Sequence, residues 1–309
     1  MANTISAVIQ YLTNQQYRFD LNTTLGLHNI MSDEAFIRKR FRLAMGYNLD
    51  LENPKSYSEK LQWLKLYDRR PEYITMVDKI LAKECAEKII GKEHIIPTIG
   101  VWDSPEQIDF GALPDQFVLK CNHNSGTGMC ICKCKNDIDA EKVKRELKRG
   151  LKENYYLGNR EWPYKDVPRK ILAEQYMEDR QTKDLRDYKF FCFDGEVKAL
   201  FIATDRQTTG AETKFDFYDS EFNHLPFTNG HPNAAIPPAK PQTFDQMKEI
   251  AHALSSGFPH VRIDLYEING EVYFGEYTFS HWGGMVPFVP SKWDDVFGEW
   301  LHLPAKTIG

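Results

Sequence analysis

Residues 260–279, with the sequence HVRIDLYEINGEVYFGEYTF, constrain the fold more than any other stretch of the chain. Strand-forming side chains flank Asn269-Gly270, the dipeptide most typical of a tight hairpin turn. A second hairpin pattern, DYKFFCFDGEVKALFIATDR, surrounds Asp194-Gly195. Between the two patterns lie a proline-rich loop over residues 225–242 and a helical pattern over 244–255. The C-terminal part of the chain is therefore predicted to form an antiparallel sheet with one helix.

The elements before this sheet are predicted from hydrophobic spacing. Apolar residues recur every three to four positions over 33–42 and 56–69, which predicts helices with Ser58 as a candidate N-cap. The strand pattern QFVLKC is followed by a glycine-bearing loop, the strand pattern MCICKCK and a charged helical pattern over 139–154. We therefore expect a helical N-terminal region and a strand-loop-strand-helix unit ahead of the C-terminal sheet.

Composition limits the classes of partner. The chain has 309 residues, of which 42% are hydrophobic, and this is enough for two or three packed lobes. Its net charge is -5 and its 39 lysines and arginines are spread along the sequence, which argues against nucleic acid as a partner. No apolar run approaches the ~20 residues that span a bilayer, and the first residues do not resemble a signal peptide. We expect a cytoplasmic protein without a transmembrane segment, and the sequence does not define its oligomeric state.

Three of the six cysteines, Cys130, Cys132 and Cys134, alternate along one strand pattern. Alternation places the three thiols on one face of a strand, whereas zinc sites usually use a Cys-x2-4-Cys knuckle that curls round the metal. Reduced cysteines that pack one face of a sheet are therefore preferred to a zinc site.

Lys120 ends a strand pattern and precedes a loop of asparagine, histidine, serine, threonine and glycine. A glycine-bearing turn can point several backbone N–H groups at a phosphate while a lysine supplies charge. An ordinary strand and turn would have the same sequence, so an anion site remains one of two interpretations.

Asp264 and Glu276 lie on adjoining strands of the predicted C-terminal hairpin. Two carboxylates about 4 Å apart repel by roughly 4 kcal/mol at an effective dielectric of 20, so a fold that brings them together usually also binds a cation such as Mg²⁺. A two-residue Asn-Gly turn would put the two residues on opposite faces, while a three-residue loop with a glycine bulge would put them on the same face. The metal hypothesis therefore predicts the bulged loop, and the alternative is a pair of solvated carboxylates.

Three weaker features complete the set. The pattern ILAEQYMED carries a strand into Glu174 and then 175–177, where backbone groups could pair with the edge of a flat heterocycle. Asp78 is a candidate helix cap, with Lys79 next to it. Four basic residues lie in or beside strands, where they would be solvated or would face a polyphosphate; they are Arg186, Lys189, Arg206 and Arg262.

The order of these features resembles the ATP-grasp fold. More narrowly, SEKLQWLKLYDRRP, VDK, IIPTIGVW, LPDQFVLKCNHNSG, DYKFFCFDGEV and VRIDLYEINGEVYFGEYTF are similar to the TupA-like ATP-grasp family, which is named for teichuronopeptide biosynthesis and found among cell-surface polysaccharide genes. The similarity runs from about Pro54 to Pro304.

The resemblance implies roles for particular residues. Residues implied to bind ATP, through its phosphates, the loop over them or the adenine hinge, are Lys79, Lys120, Asn124, Ser125, Gly126, Glu174, Gln175, Tyr176 and Met177. Residues implied to hold Mg²⁺ are Asp264, Glu276 and Thr278, where Thr278 stands at the position of the family's usual asparagine. Residues implied to clamp the transferring group are Lys189, Arg206 and Arg262. The segment SHWGGM departs from the family's usual aromatic-proline run, so the acceptor side is the part that the resemblance defines least.

The fold implied is α+β, with two α+β lobes that clasp ATP and a helical N-terminal region. We divide the chain into a helical region, an N-terminal ATP-grasp segment, a lid subdomain and a C-terminal core, at 1–76, 77–112, 113–178 and 179–309. The activity implied is ATP-dependent and ADP-forming ligation of a carboxylate to an amine through an acyl phosphate, in surface-polysaccharide biosynthesis. The alternatives are a glycosyltransferase, for which Asp137 and Asp139 form a DxD sequence, and a nucleotide-binding protein without turnover.

Overall fold

The computed structural model describes residues 2–180, 185–205, 210 and 212–306, with no side-chain description for residues 2–5. The helices are α1 Ala2–Thr13, α2 Gln15–Thr24, α3 Asp33–Met45, α4 Tyr57–Tyr67, α5 Glu72–Val77, α6 Leu81–Ile90, α7 Ala140–Lys152, α8 Tyr156–Asn159, α9 Phe244–Ser255 and α10 Lys292–Trp300. The strands are β1 Thr98–Trp102, β2 Phe117–Cys121, β3 Met129–Cys132, β4 Ile171–Gln175, β5 Asp187–Phe193, β6 Glu196–Thr204, β7 Lys214–Asp219, β8 His224–Leu225, β9 Thr228–Asn229, β10 His260–Ile268, β11 Glu271–Thr278 and β12 Phe288–Val289.

The larger sheet is antiparallel and has the strand order β11-β10-β5-β6-β7-β8. Both predicted hairpins lie in it, β5–β6 around Asp194-Gly195 and β10–β11 around Asn269-Gly270. All four turn residues have positive φ, between 49° and 83°, as a tight turn of type I′ requires. Local turn chemistry therefore predicted both hairpins correctly.

The smaller sheet is also antiparallel, with the order β1-β4-β2-β3. One face packs on α7 through a small core that includes Phe117, Leu119, Val143 and Leu147. Since β1 precedes Leu113 and pairs with β4, the boundary placed between 112 and 113 falls inside one sheet.

The two faces of the larger sheet have different coverings. Phe190, Ile202 and Ile263 belong to a core with residues of α6 and α9. On the other face, Phe191 and Phe201 belong to a second core with residues of α2, α3, α4 and α10. The N-terminal helices therefore complete the core of the larger sheet on the face that also carries the site described below.

One of the two predicted helix caps is wrong. Ser56, not Ser58, caps α4, because its side chain accepts the N–H of Glu59 and the Glu59 carboxylate accepts the N–H of Ser56. Ser58 instead donates through N and Oγ to the Asp294 carboxylate at 2.8 and 2.9 Å. Asp78 has an extended backbone and makes both bonds of an N-cap, because its side chain accepts the N–H of Ile80 at 2.9 Å and its carbonyl accepts the N–H of Ala82 at 2.8 Å, just ahead of α6.

The cysteine pattern is shorter than predicted. Cys130 and Cys132 lie in β3, but the strand ends at Cys132 and Cys134 lies beyond it. All six cysteines are free of disulfide bonds. Within the described ranges, no group of three or more histidine, cysteine, aspartate or glutamate side chains is arranged to hold a metal.

Across the part of the chain that the structure describes, none of the helices combines the length and apolar composition needed to cross a membrane.

Candidate active site

A cavity of about 500 Å³ lies against one face of the larger sheet. Seven of the predicted site residues line it; they are Lys79, Asn124, Ser125, Lys189, Arg262, Glu276 and Thr278. Strands β5, β10 and β11 supply four of them, and the segments after α5 and β2 supply the other three. The cavity therefore joins the larger sheet to the loop of the smaller one.

The charged side chains on the sheet form two adjacent rows. Glu276, Asp264 and Lys189 are direct cross-strand partners on β11, β10 and β5. Thr278 and Arg262 are paired in the next row. Because alternate residues of a strand share a face, both rows point to the same side of the sheet.

Asp264 and Glu276 lie on the same face of the sheet, but the feature that places them there differs from the predicted one. The Asn269-Gly270 turn has two residues, which would pair Asp264 with Gly275 and turn Glu276 to the opposite face. The expected three-residue loop is therefore wrong. A bulge between the Asp264 and Leu265 pairs leaves Gly275 unpaired and brings Glu276 opposite Asp264.

Asp264 is buried and its carboxylate is bound by two cations. Arg262 donates from Nε to Oδ1 at 2.6 Å and from Nη2 to Oδ2 at 2.8 Å, and Lys189 donates to Oδ2 as well. Burial by itself would raise the pKa of Asp264, but Arg262 and Lys189 outweigh it and the pKa lies below its ordinary value. Asp264 is therefore ionised at neutral pH and holds both basic side chains in place.

His281, which the sequence analysis missed, extends this network. Its Nδ1 accepts from Arg262 Nη1 at 2.7 Å and its Nε2 contacts Asn229 Oδ1 at 2.9 Å. Burial, and then Arg262, lower the pKa of His281 well below its ordinary value, so the ring is neutral and its Nε2–H donates to Asn229. Asn229 Nδ2 in turn donates to the carbonyl of Val286 at 2.8 Å, which anchors the network to the backbone.

The predicted magnesium ligands fit the ion in part. The Glu276 side chain is 37% exposed and lines the cavity, and Mg²⁺ needs only one or two protein carboxylates where phosphates supply further oxygens. Both oxygens of Asp264 are bound by cations, and the Thr278 hydroxyl accepts from Arg262 Nη2 at 2.9 Å. Glu276 lies 3.6 Å from Arg262 Nη2 and 3.9 Å from Lys79 Nζ, longer contacts than those of Asp264, so it is the better placed ligand, and Asp264 would join it only after Lys189 and Arg262 moved away.

Lys79 reaches the cavity from the opposite side. Its Nζ donates to the Asn124 carbonyl at 2.6 Å and lies 3.9 Å from the Glu276 carboxylate. Burial lowers the pKa of the Lys79 amine and the nearby Lys120 lowers it further, while Glu276 opposes both. The lysine thus links the loop after β2 to the carboxylate on β11.

The loop after β2 is anchored at both ends. The side chains of Asn122, His123 and Asn124 are buried, and that of Asn124 donates to the Gly150 carbonyl and the Glu153 carboxylate. Ser125 and Gly126 are exposed. At the far end, a Cβ on Gly128 would lie 2.9 Å from the Gly150 Cα, so the backbone packs directly on α7. The part of the predicted lid that is open to the cavity is therefore short.

Lys120 does not line the cavity. Its Nζ lies 2.5 Å from Glu174 Oε2, and Lys83 binds the other carboxylate oxygen at 2.6 Å. Burial would raise the pKa of Glu174, but the two lysines outweigh it and lower the pKa. Glu174, which the resemblance places beside the purine, is thus a buried anion shared by two lysines.

The predicted adenine hinge lines a separate pocket of about 660 Å³. Gln175, Tyr176 and Met177 form one side, and Asn269 of the β10–β11 turn lies on the other. The Gln175 N–H already donates to the Pro97 carbonyl at 3.0 Å. The turn is tied to the hinge segment, because Asn269 N donates to the Asp179 carboxylate at 2.8 Å.

One predicted site residue is not among those that the structure describes, and several residues of the cavity were not predicted. Arg206 lies outside the described residues. The cavity also contains residues that no sequence pattern indicated, including Tyr155, Asn159, Glu161, Tyr164 and His231, and it contains His281 and Trp282 of the SHWGGM segment. The stretch 155–164 has neither strand nor helix periodicity, so only its density of aromatic residues was visible in the sequence.

A family model described as TupA-like ATPgrasp matches residues 59–302. The match covers most of the chain, and the chain belongs to the TupA-like ATP-grasp family. The α+β architecture with helices ahead of the sheets agrees with this, so the predicted fold class is confirmed. No curated protein sequence matches the chain.

Solved structures with similar shape include two D-alanine–D-alanine ligases and the ATP-grasp ligase PsnB. The Bacillus anthracis ligase complexed with ATP has 14% identity and a TM-score of 0.39, covering 66% of this chain and 54% of its own. PsnB complexed with a minimal precursor has 11% identity and a TM-score of 0.40, and the match covers 73% of this chain and 59% of the PsnB chain. The Helicobacter pylori ligase has 13% identity and a TM-score of 0.42, covering 82% and 70%. The chain thus spans little more than half the length of the first two structures.

Proposed function

We propose that this protein is an ATP-dependent ligase that joins a carboxylate to an amine through an acyl phosphate and releases ADP. The observation that carries the proposal is the pair of charged rows on β5, β10 and β11, which faces a cavity bounded on its other side by Lys79 and a glycine-bearing loop. Family membership supports the same reading.

In this proposal the nucleotide extends from the hinge pocket to the cavity. The backbone at Tyr176 and Met177 pairs with the adenine edge, because the Gln175 N–H is already used. Lys120 and Lys79 lie between the hinge and the charged rows and meet the phosphates, with the N–H groups of Ser125 and Gly126 above them. Glu276 would hold Mg²⁺, which when bound would neutralise charge on the phosphate oxygens.

The chemical steps need no side-chain nucleophile. A substrate carboxylate oxygen attacks the γ-phosphorus, the bond to the β–γ bridging oxygen breaks, and ADP leaves with that electron pair. The amine, once it has lost its ammonium proton, then attacks the acyl carbon, inorganic phosphate departs, and the protons released from nitrogen pass to phosphate or solvent. Arg262 and Lys189, held by Asp264, are placed to stabilise the negative charge that develops in both steps.

Family membership also suggests the substrate class. We propose that the carboxylate belongs to a cell-surface polysaccharide or its precursor, that the amine is an amino acid or another small amine, and that the reaction takes place in the cytoplasm. The runner-up, a glycosyltransferase, loses its sequence signal in the structure, because the Asp139 side chain caps α7 by accepting the N–H of Lys142.

The test is a product analysis. The protein is incubated with ATP and Mg²⁺ in the presence of glucuronic and galacturonic acids, the twenty amino acids, or both, and nucleotides are identified by mass spectrometry. We expect ADP and inorganic phosphate only when both substrate classes are present, and none with a Lys79→Met variant prepared in the same way.

Other products would contradict the proposal in distinct ways. AMP with pyrophosphate would indicate an adenylating mechanism. Turnover of a sugar nucleotide without ATP would indicate a glycosyltransferase. Binding of a non-hydrolysable ATP analogue without phosphate release from any combination would indicate a nucleotide-binding protein without turnover.

A further inference from the structure

One buried carboxylate in the cavity has no part in the steps above. Glu161 is 6% exposed and lines the cavity, beyond the rows that carry Arg262 and Lys189. Its carboxylate receives one long hydrogen bond within the described residues, from Asn159 Nδ2 at 3.5 Å. A buried anion ordinarily requires a cation or several donors, so this carboxylate has unused capacity to accept hydrogen bonds.

Lys65 is the basic side chain with the largest electrostatic effect on Glu161, but it directs its hydrogen bonds elsewhere. Lys65 Nζ donates to the carbonyls of Asn159 and Gly283, each at 2.9 Å. Burial lowers the pKa of Lys65 to about 7, with Glu161 opposing the shift, so at neutral pH this amine is only partly charged. Burial raises the pKa of Glu161 and Lys65 opposes that shift, so a cation bound beside the carboxylate would favour its ionised form.

The electrostatic field of Glu161 reaches two tyrosines that line the same cavity, Tyr155 and Tyr164. The rings of Tyr155 and Tyr164 lie edge to face with centroids 4.7 Å apart, and both line the cavity together with Trp282, which is 40% exposed. The Glu161 charge, followed by burial, raises the pKa of the Tyr155 hydroxyl, which places that hydroxyl in the field of the carboxylate. An anion beside aromatic faces is the environment that attracts an organic cation.

We propose that the part of the cavity formed by Glu161, Tyr155 and Tyr164, called here the Glu161 pocket, binds the amine substrate as its ammonium ion. The inference rests on the proposed ligase function, which requires an amine, and it adds where the amine enters and what recognises it. The cavity then offers Arg262 and Lys189 to the phosphoryl group and the substrate carboxylate, and Glu161 with its two tyrosines to the ammonium group. Side chains of opposite charge within one cavity would orient the two substrates relative to each other.

The first test uses the parent protein alone. Saturation-transfer NMR is recorded with pools of the twenty amino acids, ethanolamine, putrescine and glucosamine, and with their N-acetylated counterparts, each with and without a non-hydrolysable ATP analogue and Mg²⁺. We expect at least one amine to bind and its N-acetyl derivative, which has no ammonium group, to bind at least tenfold more weakly. Absence of binding by every amine, or equal binding of an amine and its N-acetyl derivative, would overturn the inference.

The second test locates the pocket. Glu161→Gln removes the charge and keeps the size of the side chain, and we expect it to weaken binding of the same amine at least tenfold. The matched control is Glu141→Gln, an exposed glutamate on α7, which should leave binding unchanged. Unchanged binding in Glu161→Gln would contradict the inference, provided that the variant binds the ATP analogue as the parent does. If that variant does not fold, the comparison of amines with N-acetyl amines decides the question.

These measurements separate the two proposals, because amine binding does not require turnover. Ammonium binding that depends on Glu161, without phosphate release in the product analysis, would refute the ligase function and leave the pocket standing. Phosphate release that depends on an amine but not on Glu161 would support the ligase function and refute the Glu161 pocket as the amine site.

Discussion

Lys120 illustrates how one residue can have a structural partner and a proposed ligand at once. It shares the Glu174 carboxylate with Lys83. The two lysines differ in exposure: the Lys120 side chain is 24% exposed and the Lys83 side chain is 8% exposed. Lys83, on α6, also contacts the Thr98 hydroxyl at 3.2 Å, so it is held against β1 and β4 of the smaller sheet. Lys120 is thus the lysine of this pair that is free to turn toward a phosphate.

We predict that Lys120→Ala weakens binding of a non-hydrolysable ATP analogue by about 10- to 100-fold, as expected for loss of a hydrogen bond to a charged group, worth roughly 1.5–3 kcal/mol. The protein should remain folded, since Glu174 keeps its ion pair with Lys83. Isothermal titration calorimetry in the presence of Mg²⁺ measures the affinity.

Lys83→Ala is the matched control for this prediction, because it removes the other partner of the same carboxylate. It should lower the free energy of unfolding while leaving the affinity of the folded protein within a few-fold of the parent. If both substitutions weaken binding equally, the role of Lys120 is to neutralise Glu174 and its assignment to the phosphates is wrong.

At the scale of elements, the β10–β11 hairpin shows how a single glycine sets the face of a side chain. Gly275 occupies the bulge, and a Cβ there would lie 3.0 Å from the Asp264 carbonyl oxygen, a contact with backbone that has little room to yield. The residues after the bulge, Glu276 to Thr278, all pair one position later than the turn alone would dictate. The bulge is therefore what places Glu276 and Thr278 in the cavity.

This geometry leads to a prediction about chain length. Deletion of Gly275 removes the bulge but still pairs Glu276 with Asp264 across the two-residue turn, so binding of the ATP analogue with Mg²⁺ should stay within about fivefold of the parent, by the register argument. Insertion of a second glycine after Gly275 shifts Glu276 by one further position and should weaken binding at least tenfold. Calorimetry on both variants measures their affinity for the ATP analogue. A large loss of affinity in the deletion variant, with little loss in the insertion variant, would contradict the register argument.

At the scale of the whole molecule, the helices before the family match are part of the core and not an appendage. The family model begins at residue 59, yet Phe19, Phe36 and Phe41 are at most 2% exposed in the core of the larger sheet. Arg160, next to Glu161, donates to the His28 carbonyl at 2.8 Å and lies 4.5 Å from the Phe36 ring. The N-terminal helices therefore also support the segment that carries the Glu161 pocket.

We predict that removal of residues 2–13 is tolerated and that removal of residues 2–45 is not. The first deletion takes away α1, whose Val8, Ile9 and Leu12 are more than half exposed. The second removes three buried phenylalanines, and since each such loss costs about 3–5 kcal/mol, the total of roughly 9–15 kcal/mol is comparable to the ~5–15 kcal/mol stability of a typical domain. Thermal denaturation and solubility measure the outcome, and a cooperative unfolding transition in the longer deletion near that of the parent would refute the argument.

The parts of the fold that depend on nearby residues could be predicted from the sequence. Asn269-Gly270 and Asp194-Gly195 gave the hairpin turns because φ > 0 at both positions is a local requirement. The helix predicted over 244–255 is observed as Phe244–Ser255, since hydrophobic spacing and helix geometry have the same local period. The order of motifs also predicted the family and a set of site residues, and most of those residues line the two pockets.

Tertiary structure alone decided which partners those residues have. Ser56 and Ser58 are both reasonable caps, and the choice depends on Asp294, 236 positions after Ser58. Asp264 and Glu276 share a face because of a bulge that no turn residue encodes. Glu161 enters the cavity from an irregular segment without periodicity. In each case the outcome is set by contacts between residues distant in sequence, and a linear pattern contains the residues that make such contacts but not the distances between them.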